Sequence, residues 1–328
     1  MVVPFRPQRA TISAVPDQPL PGARSLRVLI PHAEGPELMG PLPAGVQVEI
    51  WNGEEELPVD AAGVEFLVPP FLGTGDQREM FARLPVLRVV QTLTAGVDGL
   101  VEQVPEGVTL CDARGVHDLS TAEWVLTAIL AAVHDFPYFA REQAAQRWSY
   151  RFTDVLGGKR VLIVGYGSIG AAVERRLAGF EVEITRVARR SRDGVAPVES
   201  LPDLLPAADI VVLLVPFTAD TRGLVDAAFL HRMRDGALLV NASRGPVVDT
   251  DALVAELQAG RLTAALDVTD PEPLPPGHPL WTAPGLLVTP HVAGSTTAFR
   301  PRAYRLVREQ LERYVAGDPL INVVTGGY

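Results

Sequence analysis

Cysteine is almost missing from this 328-residue sequence, which has only Cys111. One thiol can form neither an internal disulfide nor a cysteine-based zinc site, so the chain reads as a protein of a reducing compartment, with Cys111 expected as a small buried or half-buried group. Positive charge is also short: 29 Lys and Arg against 39 Asp and Glu leave a formal net charge of −10. That balance gives no basic field for a nucleic-acid backbone, and nucleic acid is not an expected partner. Long apolar runs are absent too. The strongest, "IVVLLV" and "WVLTAILAAV", fall far short of the roughly 20 residues that span a bilayer, so no membrane is expected. The opening "MVVPFRPQRATISAVPDQPLPGARS" lacks the apolar core of a signal peptide and reads as a loose, proline-rich leader, which makes a cytoplasmic location the default.

What is present is an apolar content of 47%, enough for a sizeable core in one or two domains. Short apolar runs alternate with amphipathic stretches, the pattern of parallel βα units with buried strands, so the expected class is α/β. "LRVLIP" (26–31), "VQVEIW" (46–51), "VEFLVP" (64–69), "LRVVQTL" (87–93) and "VTLC" (108–111) predict a first, smaller sheet. "STAEWVLTAILAAVHDF" predicts a long apolar helix capped by Ser120 or Thr121, covered on several sides. "GKRVLIVG", "VEITRV", "DIVVLLVP", "GALLVNAS", "LTAALDV" and "GLLVTPH" predict a second sheet, followed by a helix over roughly 296–316 and a short tail.

Within the second series, "VLIVGYGSIGAAVERRL" runs from strand through Gly165, Gly167 and Gly170 into a helix. In that setting Gly165 allows the tight turn, Gly167 lets backbone approach a pyrophosphate and Gly170 lets helix pack on strand. The N–H groups of the first helical residues, Ser168 and Ile169 among them, then face the phosphates. An NAD-type fold places an acid about 20 residues on, at the end of the next strand, for the ribose hydroxyls. Here "TRVARRSR" (185–192) holds Arg186, Arg189, Arg190 and Arg192 instead, and Asp193 comes only after them. Arginine there suits the 2′-phosphate of NADP(H) over NAD(H). Arg189 and Arg190, just past the strand, are the expected contacts. Two screened contacts of about 1 kcal/mol each would favour NADPH roughly thirtyfold.

Three stretches stand near later strand ends, where open α/β sheets bind ligands: "NASRGPVVDTDAL" (241–253), "ALDVTDPEPLP" (265–275) and "TPHVAGST" (289–296). Singly, Arg244, Glu272 and His291 could each be a structural residue. Together they supply what reduction of a 2-keto acid needs, a proton donor and a fixed cation beside a carbonyl oxygen that gains negative charge. His291 would donate, Glu272 would fix its tautomer and favour its protonated form, and Arg244 would grip carboxylate and carbonyl oxygens.

With "TAGVD" (94–98), "GYGSIG" (165–170), "NASRGPVVD" (241–249), "LDVTDPEP" (266–273) and "TPHVAGST" in this order, the chain resembles the D-isomer-specific 2-hydroxyacid dehydrogenases over nearly its whole length after the leader. The resemblance implies Arg244 as the substrate arginine, Glu272 as the acid paired with histidine, His291 as the general acid/base, and Ala95, Gly96 and Val97 as backbone donors to the substrate carboxylate. It implies two Rossmann-like doubly wound domains. The smaller substrate domain would be discontinuous (1–116 and 297–328), and the dinucleotide domain would cover 117–296, with Asp267 among its cofactor residues. It also implies a homodimer built around the cofactor domains and the long helix near residue 120. The substrate side-chain pocket is expected from the first domain, near "VPPFLG" (68–73), with Trp148, which follows the long helix and would reach a dimer partner, as a further contributor. Glu272 stands where formate dehydrogenases of the family carry glutamine, which argues against formate, and the absence of a regulatory domain after residue 328 argues against an allosteric phosphoglycerate dehydrogenase. The expected activity is NADPH-linked reduction of a small 2-keto acid such as glyoxylate or hydroxypyruvate. The rival expectation is a dinucleotide-sensing corepressor of the same fold, without turnover.

Overall fold

The computed structural model of the chain describes residues 25–58, 60–70 and 75–325. The leader and residues 71–73 of the expected side-chain pocket lie outside them. Two wholly parallel sheets organise these residues. The first has the order β2-β1-β3-β4-β5, from β1 (Leu26–Ile30), β2 (Val46–Ile50), β3 (Phe66–Leu67), β4 (Val89–Gln91) and β5 (Thr109–Cys111). Short helices α1 (Gly35–Met39) and α2 (Arg78–Ala82) lie among them. Side-chain alternation along these strands feeds two cores. Leu26, Val28, Ile30, Phe66 and Val89 face one, while Leu29, Leu67, Val90 and Leu110 face the other with Phe81 of α2.

The chain then passes through α3 (Asp118–Val133) and α4 (Phe136–Ala144) into a seven-stranded sheet. Its strands are β6 (Arg160–Val164), β7 (Glu183–Ala188), β8 (Ala196–Pro197), β9 (Ile210–Leu213), β10 (Leu238–Asn241), β11 (Thr263–Leu266) and β12 (Leu286–Val288), in the order β12-β11-β10-β9-β6-β7-β8. The direction of winding reverses between β6 and β9. α5 (Ser168–Leu177) follows β6 and packs with α3 on one face, against Val161, Ile163 and Val212. α6 (Leu201–Leu204), α7 (Ala227–Arg232) and α8 (Thr250–Gln258) cover the other, where Leu162, Val164 and Val211 point.

The last helix, α9 (Phe299–Ala316), returns to the first sheet, where Ala303, Tyr304, Val307 and Leu311 complete the core over β1. The two sheets are thus Rossmann-like α/β domains, with helical cover for the smaller one coming from the far end of the chain. Beyond α9 the tail runs antiparallel to the edge strand β5, with a bridge between Cys111 and Val323 and a bond from Val324 N to Leu110 O at 2.9 Å. Cys111 is fully buried there, and burial pushes its thiol up to about 11.

Two helix starts differ from expectation. α3 begins at Asp118 with His117 at the cap position, and the Ser120 hydroxyl donates to the His117 carbonyl at 3.1 Å inside the first turn. Ser120 and Thr121 are buried polar residues here, not caps. α9 begins at Phe299, three residues late, because 294–299 close turns of their own through Thr296 N to Gly294 O and Phe299 N to Thr296 O.

Candidate active site

A cleft of about 410 Å³ opens at the carboxyl ends of both sheets. Residues past β6 (Gly165, Gly167, Ser168, Ile169, Gly170), past β7 (Arg189), past β9 (Leu214–Phe217), past β10 (Ala242–Arg244) and past β4 (Ala95, Gly96, Asp98) line it. This is the switch point of the larger sheet, where α/β folds take ligands.

The glycine turn fits a bound pyrophosphate on its own geometry. Gly165 has φ +102°, and a Cβ there would lie 2.4 Å from the Leu214 carbonyl carbon. A Cβ on Gly170 would lie 2.8 Å from the Gly165 oxygen, so helix and turn are in close contact. At Gly167 a Cβ would meet nothing within 4 Å. Packing therefore does not demand glycine at 167, and an added side chain would occupy the cleft itself. Gly167 is also the cap of α5 and has no side chain to bond the first helical N–H groups, which leaves them pointing where an anion would sit. Ser168 is held differently, its hydroxyl donating to Asp118 Oδ1 at 3.0 Å.

The four arginines of 185–192 divide by position. Strand β7 ends at Ala188, so no acid stands at its end, and Arg189, the next residue, lines the cleft. Arg190 is exposed and outside the lining. Arg186 turns to α5, where its Nε donates to Glu174 Oε2 at 2.7 Å, and the Tyr166 hydroxyl donates to the same carboxylate. The Arg186 hydrogen bond outweighs burial and holds the Glu174 carboxyl below its usual value. Arg192 Nη2 donates to the Tyr166 carbonyl at 2.5 Å. Two of the four thus brace the middle residue of the glycine turn.

On the opposite wall Arg244 leaves the end of β10 on a loop that Asn241 organises. Asn241 Oδ1 accepts from Ser243 N and Oγ at 3.0 and 2.6 Å, and its Nδ2 donates to the Arg244 carbonyl at 3.1 Å. The Arg244 guanidinium lies against Gly96, where a Cβ would be 1.6 Å from Nη2. It pairs with Asp98 at 3.3 Å. Ala95 and Gly96 line the cleft. Val97 is buried in the core below, and its carbonyl accepts from Leu100 and Val101.

His291 and Glu272 stand outside the cleft lining, both part-exposed, with His291 Nδ1 2.6 Å from Glu272 Oε1. Burial raises the Glu272 carboxyl. The bond to His291, the Thr269 backbone and the charges of His291 and Arg244 outweigh it and hold the group below the usual carboxylate value. Arg244 is therefore near enough to act on the dyad electrostatically. The geometry leaves the opposite edge of the imidazole, Nε2, for proton exchange with another group.

Asp267 is not at the cleft surface. It is 2% exposed, and its two oxygens accept from Thr289 Oγ1 at 2.6 Å, Val292 N at 2.9 Å and Ala293 N at 2.8 Å. Its carbonyl accepts from His291 N at 2.7 Å. His291 has φ +53°, a left-handed conformation unfavourable for a non-glycine residue, and Asp267 fixes the loop that imposes it. Neither this anchoring nor the Arg244–Asp98 pair is foreseen from the sequence. Asp98 closes the "TAGVD" motif, but nothing local ties it to an arginine on the other sheet.

The family profile described as D-isomer specific 2-hydroxyacid dehydrogenase, NAD binding domain, matches residues 126–293. The glyoxylate reductase/hydroxypyruvate reductase of Mus musculus is 31% identical over 310 residues, covering 86% of this chain and 94% of that protein. The crystal structure of a D-isomer specific 2-hydroxyacid dehydrogenase from Xanthobacter autotrophicus Py2, in complex with NADPH and MES, superposes with TM-score 0.79 at 32% identity, covering 92% of this chain and 98% of that one. That of the NADPH-dependent glyoxylate/hydroxypyruvate reductase of Sinorhizobium meliloti, in complex with NADP and malonate, does so with TM-score 0.77 at 26% identity, covering 92% and 97%. These likenesses span both sheets, the glycine turn and the histidine loop, and the chain belongs to the D-isomer-specific 2-hydroxyacid dehydrogenase family.

Proposed function

We propose that the protein reduces a small 2-keto acid, of the glyoxylate or hydroxypyruvate class, with NADPH in preference to NADH. The reading rests on the His291–Glu272 pair at 2.6 Å within the electrostatic reach of Arg244. Arg244 exchanges Asp98 for the substrate and takes its carboxylate and carbonyl oxygen in a planar fork. Backbone N–H groups of Ala95, Gly96 and Val97 hold the carboxylate from the other side. When bound, the nicotinamide supplies the hydride to the carbonyl carbon. As charge grows on the oxygen, His291 delivers a proton from Nε2 while Glu272 keeps Nδ1 oriented and offsets the imidazolium charge.

Gly165, Gly167, Ser168, Ile169 and Gly170 cradle the pyrophosphate, and Arg189 meets the 2′-phosphate. Asp267 serves the cofactor side by fixing the loop that carries His291. With Arg189 alone in the cleft, one screened contact of about 1 kcal/mol favours NADPH roughly fivefold, less than two contacts would give. The mouse and Sinorhizobium relatives, named for glyoxylate and hydroxypyruvate, and the NADPH in the Xanthobacter complex support the substrate class and cofactor.

The substrate domain of this reading comprises 1–116 and 297–328, around a cofactor domain at 117–296. Two copies associate through α3 and the segment after it, where Trp148, Tyr150 and Phe152 are 101%, 79% and 88% exposed in the single chain. The location is cytoplasmic; among the described residues no helix is long and apolar enough to cross a membrane. The deciding experiment is a steady-state survey of glyoxylate, hydroxypyruvate, pyruvate and phenylpyruvate with each cofactor. Equal catalytic efficiency with NADH and NADPH removes the cofactor preference. Tight NADPH binding without turnover on any keto acid removes the enzyme and leaves a dinucleotide sensor.

A further inference from the structure

The chain crosses between the two sheets twice, out along 112–117 and back along 289–298. His117 ends the first crossing and is 7% exposed. Its Nε2 lies 2.9 Å from the carbonyl of Leu93, which directly precedes the carboxylate loop 94–97. Its Nδ1 edge faces Gly294 in the histidine loop, so closely that a Cβ there would sit 2.8 Å from Nδ1. The ring stacks on Phe299, the first residue of α9, with centroids 5.1 Å apart and planes at 21°. Its own carbonyl accepts from Thr121 N at 2.9 Å and from Ser120 Oγ, fixing it to α3. The imidazole thus touches the substrate loop, the histidine loop and the start of α9, while the backbone of the same residue is bonded into α3.

We propose that His117 is a positioning residue of the active site, a pin that fixes the carboxylate loop 94–97 relative to the histidine loop 291–294 where the chain crosses between the two sheets. The chemistry suits the place. A flat ring can stack on Phe299 while one N–H reaches the Leu93 carbonyl, and a buried carbonyl left without its donor is costly. Burial is the largest influence on His117 and lowers its pKa, against the hydrogen bonds to the backbone of Leu93 and Gly294 and the charge of Asp118. The kinetic consequence rests on the reductase reading above, but the structural one does not.

Hydrogen exchange on the full-length chain tests the pin without reference to activity. In His117→Phe, which keeps the stack and loses the donor, amides of 94–97 and 292–295 should exchange faster together by about fivefold or more, with 165–170 unchanged. His117→Gln, which retains a donor toward Leu93, should restore most of the protection. Gly294→Ala reaches the same contact from the other loop and should loosen the same two segments, which keeps the test available if the Phe variant fails to fold. In turnover assays the keto-acid KM of His117→Phe should rise about tenfold with the NADPH KM within about twofold. Unchanged exchange at 94–97, or equal loosening of the glycine turn, overturns the proposal. A wild type without turnover sinks the reductase reading and leaves the exchange result to decide the pin.

Discussion

At the scale of single residues, the site depends on a histidine held in a conformation that its own backbone disfavours. The φ of +53° at His291 costs of order 1–3 kcal/mol, and the bonds from the buried Asp267 to 289–293 offset it. This separates two roles that look alike in a mutational screen. His291→Asn should lower kcat by about 10²–10⁴ while NADPH affinity stays near wild type, because proton donation is lost and the cradle is not; stopped-flow turnover and fluorescence titration check the two halves. Glu272 carries a pH signature. Its folded carboxyl is held below the ordinary value of 4.5, so its contribution is full above that value and fades as pH falls through the lowered one. The Tm gap between wild type and Glu272→Gln should accordingly be present at neutral pH and close in acid. That His291 and Glu272 would pair within reach of Arg244, and that the glycines would form a turn into a helix, was legible in the sequence because each sits in a short motif with chemistry of its own. Asp98 and the anchoring by Asp267 were not, since both work through partners that only the tertiary fold brings near.

At the scale of elements, every strand foretold from apolar runs is present: central strands such as β9 and β10 are buried on both faces and so apolar along their length, while β2 and β7 alternate apolar with polar residues. Helix starts were less legible, since Ser120 can either cap a helix or bond backward to a carbonyl, and burial decided for the second. The arginine stretch shows the same limit. Sequence places four cations within and just beyond the end of a strand, but only the register of β7 against β6, with Ile163 opposite Arg186, turns Arg186 toward Glu174 and leaves Arg189 at the cleft. A second element-level dependence is the tail. Gln310 on α9 donates to Gln91 Oε1 at 2.7 Å, a buried bond, and to the Ile321 carbonyl at 2.8 Å, and accepts from Ile321 N at 3.0 Å, both part-buried. Gln310→Leu should destabilise the protein by about 2–4 kcal/mol in urea melts, since buried amide groups lose their partners. Replacing Gln91 as well should cost less than the sum of the two single changes.

For the whole molecule, two parallel sheets meet with their carboxyl ends toward one cleft, and that arrangement was readable from the ordered motifs. The surface that would join two copies was legible only in outline: the apolar α3 is half explained by burial against α5, and the aromatic segment beyond it is the part left uncovered. Replacing Trp148 and Phe152 together by serine should shift the protein toward monomer in sedimentation velocity, with the Tm of each subunit little changed at low concentration.

Because Tyr304, Val307 and Leu311 of α9 roof the strands of the first sheet, the opening third of the polypeptide emerges from the ribosome long before its own roof exists. Those strands must wait, apolar face uncovered, while the larger sheet is made and folded. Synthesis is therefore when this protein is most exposed to misassembly, and a chain cut short before residue 299 would keep a finished cofactor half attached to a sheet that never closes.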